Sequence, residues 1–394
     1  MYKRLPERKR EMSVLNYYET ELARLRAEGN MRSIPADTRG DKTLVDLSSN
    51  DYLGLASKPE LQAEFFASSE RRGIPMTSSA SRLLSPSQDE YLALEELLSK
   101  LYRRKCLLFN SGYHANTGMI QALASGKCLI VADKLVHASI IDGIILSKAP
   151  FIRFRHNDTA HLERILAKEA PAYDRIIILA ESVYSMDGDR ADIGELIRIK
   201  KAHGNTLLYI DEAHGFGVEG PKGLGICAAE RNSEDVDVIV GTFGKACASM
   251  GAFCAVSPAI RDFLLNRARS FIFSTALPPM NAAWTRFMIE KIVTMDAERE
   301  SLKALGARMH AILQPLSPDF NITPSHIQPL VVGSAQLAVK LSQKLREEGF
   351  KVLPIRTPTV PPGTERLRIS LSAAISPCEI DRFGDALTRL LPSI

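Results

Sequence analysis

Long apolar runs are missing from this chain of 394 residues. No stretch approaches the roughly 20 residues that a membrane-spanning helix needs, and the N-terminus has no apolar core of the kind a secretory signal carries. A cytoplasmic protein without membrane contact is the expectation. An excess of one charge is missing too: 50 Lys and Arg against 46 Asp and Glu leave a formal net charge of +4. That is too little for this length to argue for a nucleic-acid partner. The one basic cluster, MYKRLPERKR at residues 1–10, reads as a solvated arm. The six cysteines, Cys106, Cys128, Cys227, Cys247, Cys254 and Cys378, contain no CxxC pair. They read as buried thiols, with no metal site and no disulfide framework. Two nucleotide signatures are absent as well. No GxGxxG turn opens a helix directly after a strand-like run, which disfavours a nicotinamide-dependent oxidoreductase. The Gly244-Lys245 pair has Ile239 and Ala246 where a phosphate-binding P-loop needs Gly and Ser or Thr.

What is present is an ordinary globular composition, 45% hydrophobic and 24% charged, in a chain long enough for more than one domain. Helical periodicity covers about residues 13–28. Between about Lys58 and Pro279, short apolar runs alternate with amphipathic helices: CLLF, CLIVA, RIIILA, TLLYI, VDVIV and GAFCAVS. Such alternation predicts an α/β fold with a mostly parallel central sheet flanked by helices. A long helical pattern follows Pro278-Pro279 through about Leu313, and LVVG, FKVLPI and RLRISL then suggest a smaller C-terminal α+β domain. The expected division is an N-terminal helix and arm over 1–57, a large α/β domain over 58–285 and a C-terminal domain over 286–394.

In open α/β sheets ligands gather beyond the carboxyl ends of the strands, and that rule nominates a set of residues. CLLFNSGYHANTG is a strand, a turn and a helix start, where Ser111, Gly112 and Tyr113 offer backbone N–H groups to an anion. TLLYIDEAHGFG places Asp211 at a strand end with His214 beyond it, LAESVYSMDGD does the same for Glu181 and Ser185, and VADKLVHASI puts His137 in a following loop. VDVIVGTFGK ends on Lys245, a cation at the inner end of a buried sheet that needs a partner or a reason. A lysine able to form a Schiff base, an aspartate for a protonated ring nitrogen and a helix start for a phosphate together match the needs of pyridoxal 5'-phosphate (PLP). Each residue alone is as often structural. Their order along the chain is what points to the cofactor.

The stretches LSSNDYLGL, NSGYHANTG, HASIIDG, ESVYSMDGD, IDEAHGFGVEG, GTFGK, FSTALPP, IQPLVVG and RTPTVPPGTERLRISLSAA resemble the α-oxoamine synthases among the fold-type I PLP-dependent transferases. The resemblance runs from about Leu15 to Leu391, and DEAHGFGV, IQPLVVG and PTVPPGTERLR favour the biotin-pathway branch. It implies that Lys245 carries PLP, that Asp211 faces the pyridine nitrogen, that His214 hydrogen-bonds the ring oxygen and that His137 stacks on the ring. It further implies that Gly112, Tyr113, Ser185 and Thr242 lie against the cofactor, and that Ser274 and Thr275 reach the phosphate across the interface of a homodimer with shared active sites. Asn50 and Arg368 would hold the amino-acid carboxylate, with Arg32, Arg356 and Thr359 near the acyl group. The implied reaction is decarboxylative condensation of L-alanine with pimeloyl-CoA or a pimeloyl-carrier protein, Lys245 acting as base.

The sequence departs from the family in one loop. PMTSSASRLLSP has Thr77, Ser79, Ala80 and Pro86 where relatives carry glycines, and Thr, Ser and Ala reach positive φ only at a cost. Ile375 stands where a histidine is common. Another branch, joining glycine with an acetyl thioester or serine with a longer acyl group, stays open at this point. A non-catalytic partner subunit would have dispensed with Lys245 or Asp211, and both are present.

Overall fold

The computed structural model describes residues 14–32, 44–86, 88–230, 233–318, 320 and 322–393; the basic stretch 1–10 lies outside them. Its strands in chain order are β1 (Val45–Asp46), β2 (Lys105–Phe109), β3 (Cys128–Asp133), β4 (Phe151–Phe154), β5 (Arg175–Glu181) and β6 (Thr206–Asp211). Then follow β7 (Val238–Thr242), β8 (Ala252–Val256), β9 (Ile327–Val331), β10 (Phe350–Lys351), β11 (Leu353–Ile355) and β12 (Arg366–Ser370).

Seven strands form the main sheet in the order β2-β8-β7-β6-β5-β3-β4. The pairs among β4, β3, β5, β6 and β7 are parallel, and β8 runs antiparallel to both β7 and β2. Near-continuous apolar runs suit strands covered on both faces. In β5, Ile176 and Ile178 join the core on one face while Ile177 and Leu179 join the core on the other. Helices Gly112–Leu123 and Ala138–Ser147 cover the second face, and Asp89–Tyr102, Thr159–Glu169, Ile193–Lys201 and Pro279–Ile292 cover the first. Each of the six apolar runs named from sequence overlaps a strand of this sheet, VDVIV beginning ahead of β7 and GAFCAVS overrunning β8 at both ends. The strand that sequence reading omits is β4. It is an edge strand with Phe151 and Arg153 exposed and only Phe154 buried, so it shows no continuous apolar run.

The helical pattern expected to run unbroken to Leu313 is two helices, Pro279–Ile292 and Asp296–Leu313. Buried Arg299 holds the break: Nη1 donates to Ile292 O at 2.8 Å and Nη2 to Asp296 Oδ1 at 2.6 Å. Apolar periodicity continues across the break, so periodicity alone cannot show it. The boundary expected at 285/286 falls within the Pro279–Ile292 helix.

A second, antiparallel sheet has the order β11-β12-β9. The N-terminal segment joins this part of the molecule. β1 pairs in parallel with β10, Ser370 N donates to Leu47 O at 2.8 Å, and Ala373 N donates to Tyr52 O at 2.8 Å. These bonds place residues 47–52 beside the end of β12.

Candidate active site

The carboxyl ends of β5, β6 and β7 converge with the end of β12. Asp211 closes β6, opposite Glu181 at the end of β5. It is buried, with Oδ2 accepting from Asn116 Nδ2 at 2.7 Å and Oδ1 from Ala213 N at 2.8 Å. Asn116 is itself held by Tyr209, whose hydroxyl donates to Asn116 Oδ1 at 2.6 Å. The carboxylate is thus fixed by neutral donors. Glu181 accepts from the backbone N–H of His137. Burial and the adjacent Asp211 push its carboxyl well above the usual range.

Lys245 follows β7 on the turn 243–251. Its Nζ lies 2.8 Å from His214 Nε2. Burial brings its amine down to about 8, against the opposing pull of Asp211 and Glu181. His214 is buried, and burial with Lys245 and Arg368 nearby holds its imidazole well below the ordinary range, hence neutral. The other ring nitrogen, Nδ1, is 2.6 Å from the hydroxyl of Tyr52. His137 caps the helix Ala138–Ser147, its Nδ1 engaged by Ser139 N at 3.2 Å and Ser139 Oγ at 2.7 Å. Burial lowers its pKa, although the residue as a whole is exposed.

Ser111 caps the helix Gly112–Leu123. Gly112 at its first turn faces Thr242, whose Cβ and Oγ1 are each 3.8 Å from where a side chain on Gly112 would begin. Thr242 Oγ1 donates to Gly251 O at 3.1 Å. The Tyr113 hydroxyl donates to Asp142.

Arg368 on β12 is buried. Nε donates to Ser185 O at 2.6 Å, Nη1 to Asn50 Oδ1 at 3.1 Å and to Ser370 Oγ, and Nη2 lies 3.5 Å from the Tyr52 hydroxyl. All these partners are neutral. Arg366, two residues earlier on the strand, is paired with Asp187, whereas no carboxylate is in ion-pair range of Arg368 among the described residues. A buried guanidinium without a counter-ion is costly, and it offers a fork to an incoming carboxylate.

Of the residues named from sequence, the fold brings together Lys245, His214, Asp211, Asn50, Arg368 and Ser185, with Gly112 and Thr242 as a neighbouring pair. Arg32, Arg356 and Thr359 form a separate group. Arg32 Nη2 is 3.5 Å from Thr359 Oγ1, Thr359 N donates to Arg356 O at 2.9 Å, and Arg356 Nη1 donates to Gly29 O. Thr275 contacts Asn110, through Asn110 Nδ2 to Thr275 O at 2.6 Å, and Ser81 by a backbone bridge; Ser274 lies beside Asn110 and Ser270. The loop with few glycines reaches the same place. Ser79 adopts φ +51°, supported by Thr77 Oγ1, which accepts from Ser79 N at 3.1 Å, and Ser78 Oγ donates to Ala276 O at 2.9 Å. Hydrogen bonds here hold a left-handed residue that is not glycine. Sequence reasoning did not single out Tyr52 or Asn116. Both lie inside quoted motifs, LSSNDYLGL and NSGYHANTG, but their burial, which marks them out, is visible only in the structure.

This donor set fits PLP: a depressed lysine amine, a buried carboxylate held by neutral donors, an exposed histidine close by and a helix start. The aminotransferase class I and II family model matches residues 42–387. A Pasteurella multocida protein named "Putative 8-amino-7-oxononanoate synthase" is 45% identical over 385 residues, covering 96% of this chain and 100% of the relative. A Haemophilus influenzae protein of the same name is 44% identical, covering 94% and 99%. Among solved structures, a serine palmitoyltransferase from S. paucimobilis with bound PLP-myriocin aldimine superposes with a TM-score of 0.86 at 28% identity, covering 98% of this chain and 100% of that one. The 8-amino-7-oxononanoate synthase of Francisella tularensis gives 0.75 at 28% identity, covering 89% and 98%. The chain belongs to the aminotransferase class I and II family, and within it to the α-oxoamine synthases, PLP-dependent acyltransferases of fold type I.

Proposed function

We propose that this enzyme condenses L-alanine with a pimeloyl thioester, on CoA or a carrier protein, to give 8-amino-7-oxononanoate, carbon dioxide and free thiol for biotin synthesis. The observation that carries the amino-acid half is Arg368, a buried cation whose partners are all neutral and which stands one residue, Tyr52, away from the His214–Lys245 pair. The names of the relatives at 44–45% identity support the acyl half.

PLP, when bound, supplies an electron sink for the pair left at the amino acid's α-carbon. Lys245, Asp211, His214 and His137 would hold it, together with the Gly112 helix start, Tyr113, Ser185 and Thr242. Arg368 and Asn50 grip the substrate carboxylate, and two parallel hydrogen bonds fix which α-carbon bond is broken. Lys245, neutral above about pH 8, takes the α-proton and later returns one. A carbon–carbon bond forms to the thioester carbonyl, the carbon–sulfur bond breaks with the thiol leaving, and the carboxylate departs as carbon dioxide. A homodimer in the cytoplasm is part of this reading, Ser274 and Thr275 of each subunit serving the site of the other.

The test is thiol release by purified, PLP-loaded enzyme with L-alanine and pimeloyl-CoA, run beside glycine with acetyl-CoA and L-serine with palmitoyl-CoA. Release confined to the first pair is expected. Release confined to either of the others would move the enzyme to that branch.

A further inference from the structure

Four side chains far apart in sequence stand in file. Arg368 Nη2 lies 3.5 Å from the Tyr52 hydroxyl, that hydroxyl 2.6 Å from His214 Nδ1, and His214 Nε2 2.8 Å from Lys245 Nζ. Tyr52 is fully buried, and its ring packs edge-on against His326 at 4.4 Å between centroids. The hydroxyl is therefore held where it is.

Counting protons gives the file a direction. A guanidinium can only donate, so the Arg368 end supplies hydrogen and accepts none. Tyr52 has one proton and two acceptors in reach, His214 Nδ1 at 2.6 Å and Asn50 Oδ1 at 3.0 Å. Asn50 Oδ1 already receives Arg368 Nη1 at 3.1 Å, and the shorter contact is the one to the imidazole. Burial raises the Tyr52 phenol to about 12, so it keeps its proton, and holds His214 neutral with a single N–H. A neutral imidazole that accepts at Nδ1 carries its hydrogen on Nε2.

We propose that Tyr52 is a positioning residue: by donating to His214 Nδ1 it fixes the Nε2–H tautomer, so that the nitrogen facing Lys245 is a hydrogen-bond donor whenever the amine is uncharged or engaged elsewhere. That N–H meets the lone pair of the Lys245 amine, and it is ready for an acceptor oxygen on the cofactor side once the amine is engaged elsewhere. In the opposite tautomer, Nδ1–H would donate to Tyr52, Tyr52 would turn its proton to Asn50, and Nε2 would present a lone pair. A cofactor oxygen would then be repelled. The kinetic consequence rests on the PLP reading above; the tautomer itself does not.

The experiment uses the full chain labelled with nitrogen-15 histidine at about pH 9, where the Lys245 amine is neutral, without cofactor and then loaded with PLP, the His214 signals being assigned by their loss in His214→Gln. Expected in the wild type is an unprotonated Nδ1 and a protonated Nε2, and in Tyr52→Phe a mixture of tautomers. The same variant should lose about tenfold in kcat, a single hydrogen bond's worth of barrier, with a smaller change in KM for the amino acid. A proton on Nδ1 in the wild type overturns the proposal, as does a folded Tyr52→Phe that keeps a pure Nε2–H form. A tyrosine that only fills space would give that second result. If Tyr52→Phe does not fold, the wild-type spectrum decides alone. Because the cofactor-free spectrum needs no substrate, its outcome is independent of whether alanine and a pimeloyl thioester are the reactants.

Discussion

Burial strips water from the Lys245 ammonium, and although Asp211 and Glu181 pull the other way the amine comes down to about 8. Below that pH the group is mostly charged and unreactive; above it the lone pair is free. The rate at which cofactor-free enzyme reacts with PLP, followed by absorbance, should therefore rise through a midpoint near pH 8. A midpoint near 10.5, the ordinary lysine value, would contradict the assignment. Lys245→Ala should abolish turnover and leave the fold, judged by circular dichroism. For Arg368, lysine keeps the charge but loses the planar fork. Arg368→Lys should lower kcat/KM for the amino acid by roughly 10- to 150-fold, the value of about 1.5–3 kcal/mol for hydrogen bonds to a charged group. An unchanged kcat/KM would remove Arg368 from the carboxylate site.

Strand β7 delivers Lys245, and its own packing leaves no room for change. A Cβ on Gly241 would stand 2.3 Å and 2.5 Å from Phe253 ring atoms on β8, and Phe253 is stacked on Phe243 at 5.4 Å. Gly241→Ala should destabilise the enzyme by about 1–3 kcal/mol, as overpacking does, read as a lower urea midpoint. At the next strand ends a clamp works by charge. His156 bonds Asp133 at the end of β3, at 2.9 Å, and Asp189 beyond β5, at 2.7 Å. Burial opposes its charge, but the two carboxylates hold its pKa up to about 10. With the folded value above the unfolded 6.5, its stabilisation is full below pH 6.5 and fades as pH rises toward 10. His156→Gln should therefore cost most stability near pH 6 and progressively less toward pH 10, measured by denaturant unfolding; a cost that does not vary with pH would mean the imidazole is uncharged.

On the scale of the molecule, large apolar side chains stay in solvent, among them Met76, Leu84, Met250 and Phe273, each more than half exposed. Met76 and Leu84 lie in the loop 76–84 and Phe273 adjoins Ser274 and Thr275, which fits the proposed homodimer. Sedimentation should give a dimer that Leu84→Asp with Phe273→Asp weakens; a monomer at micromolar concentration would break the shared-site reading. The sequence by itself determined the alternating strands and helices, because a buried parallel sheet demands apolar runs, and it nominated Lys245, Asp211, His214 and His137 for the proposed chemistry, residues that lie at strand ends or just past them. It could not show β4, whose edge position leaves half its side chains exposed, or the break that Arg299 clamps, because neither alters local periodicity. Nor could spacing show why Tyr52 and Arg368 matter. They stand 162 and 154 positions from His214 on either side of it, and only the pairing of β1 with β10 and the bonds from 47–52 to β12 bring them to it. Long-range contacts of that kind depend on which surfaces pack, and the tertiary structure alone decides that.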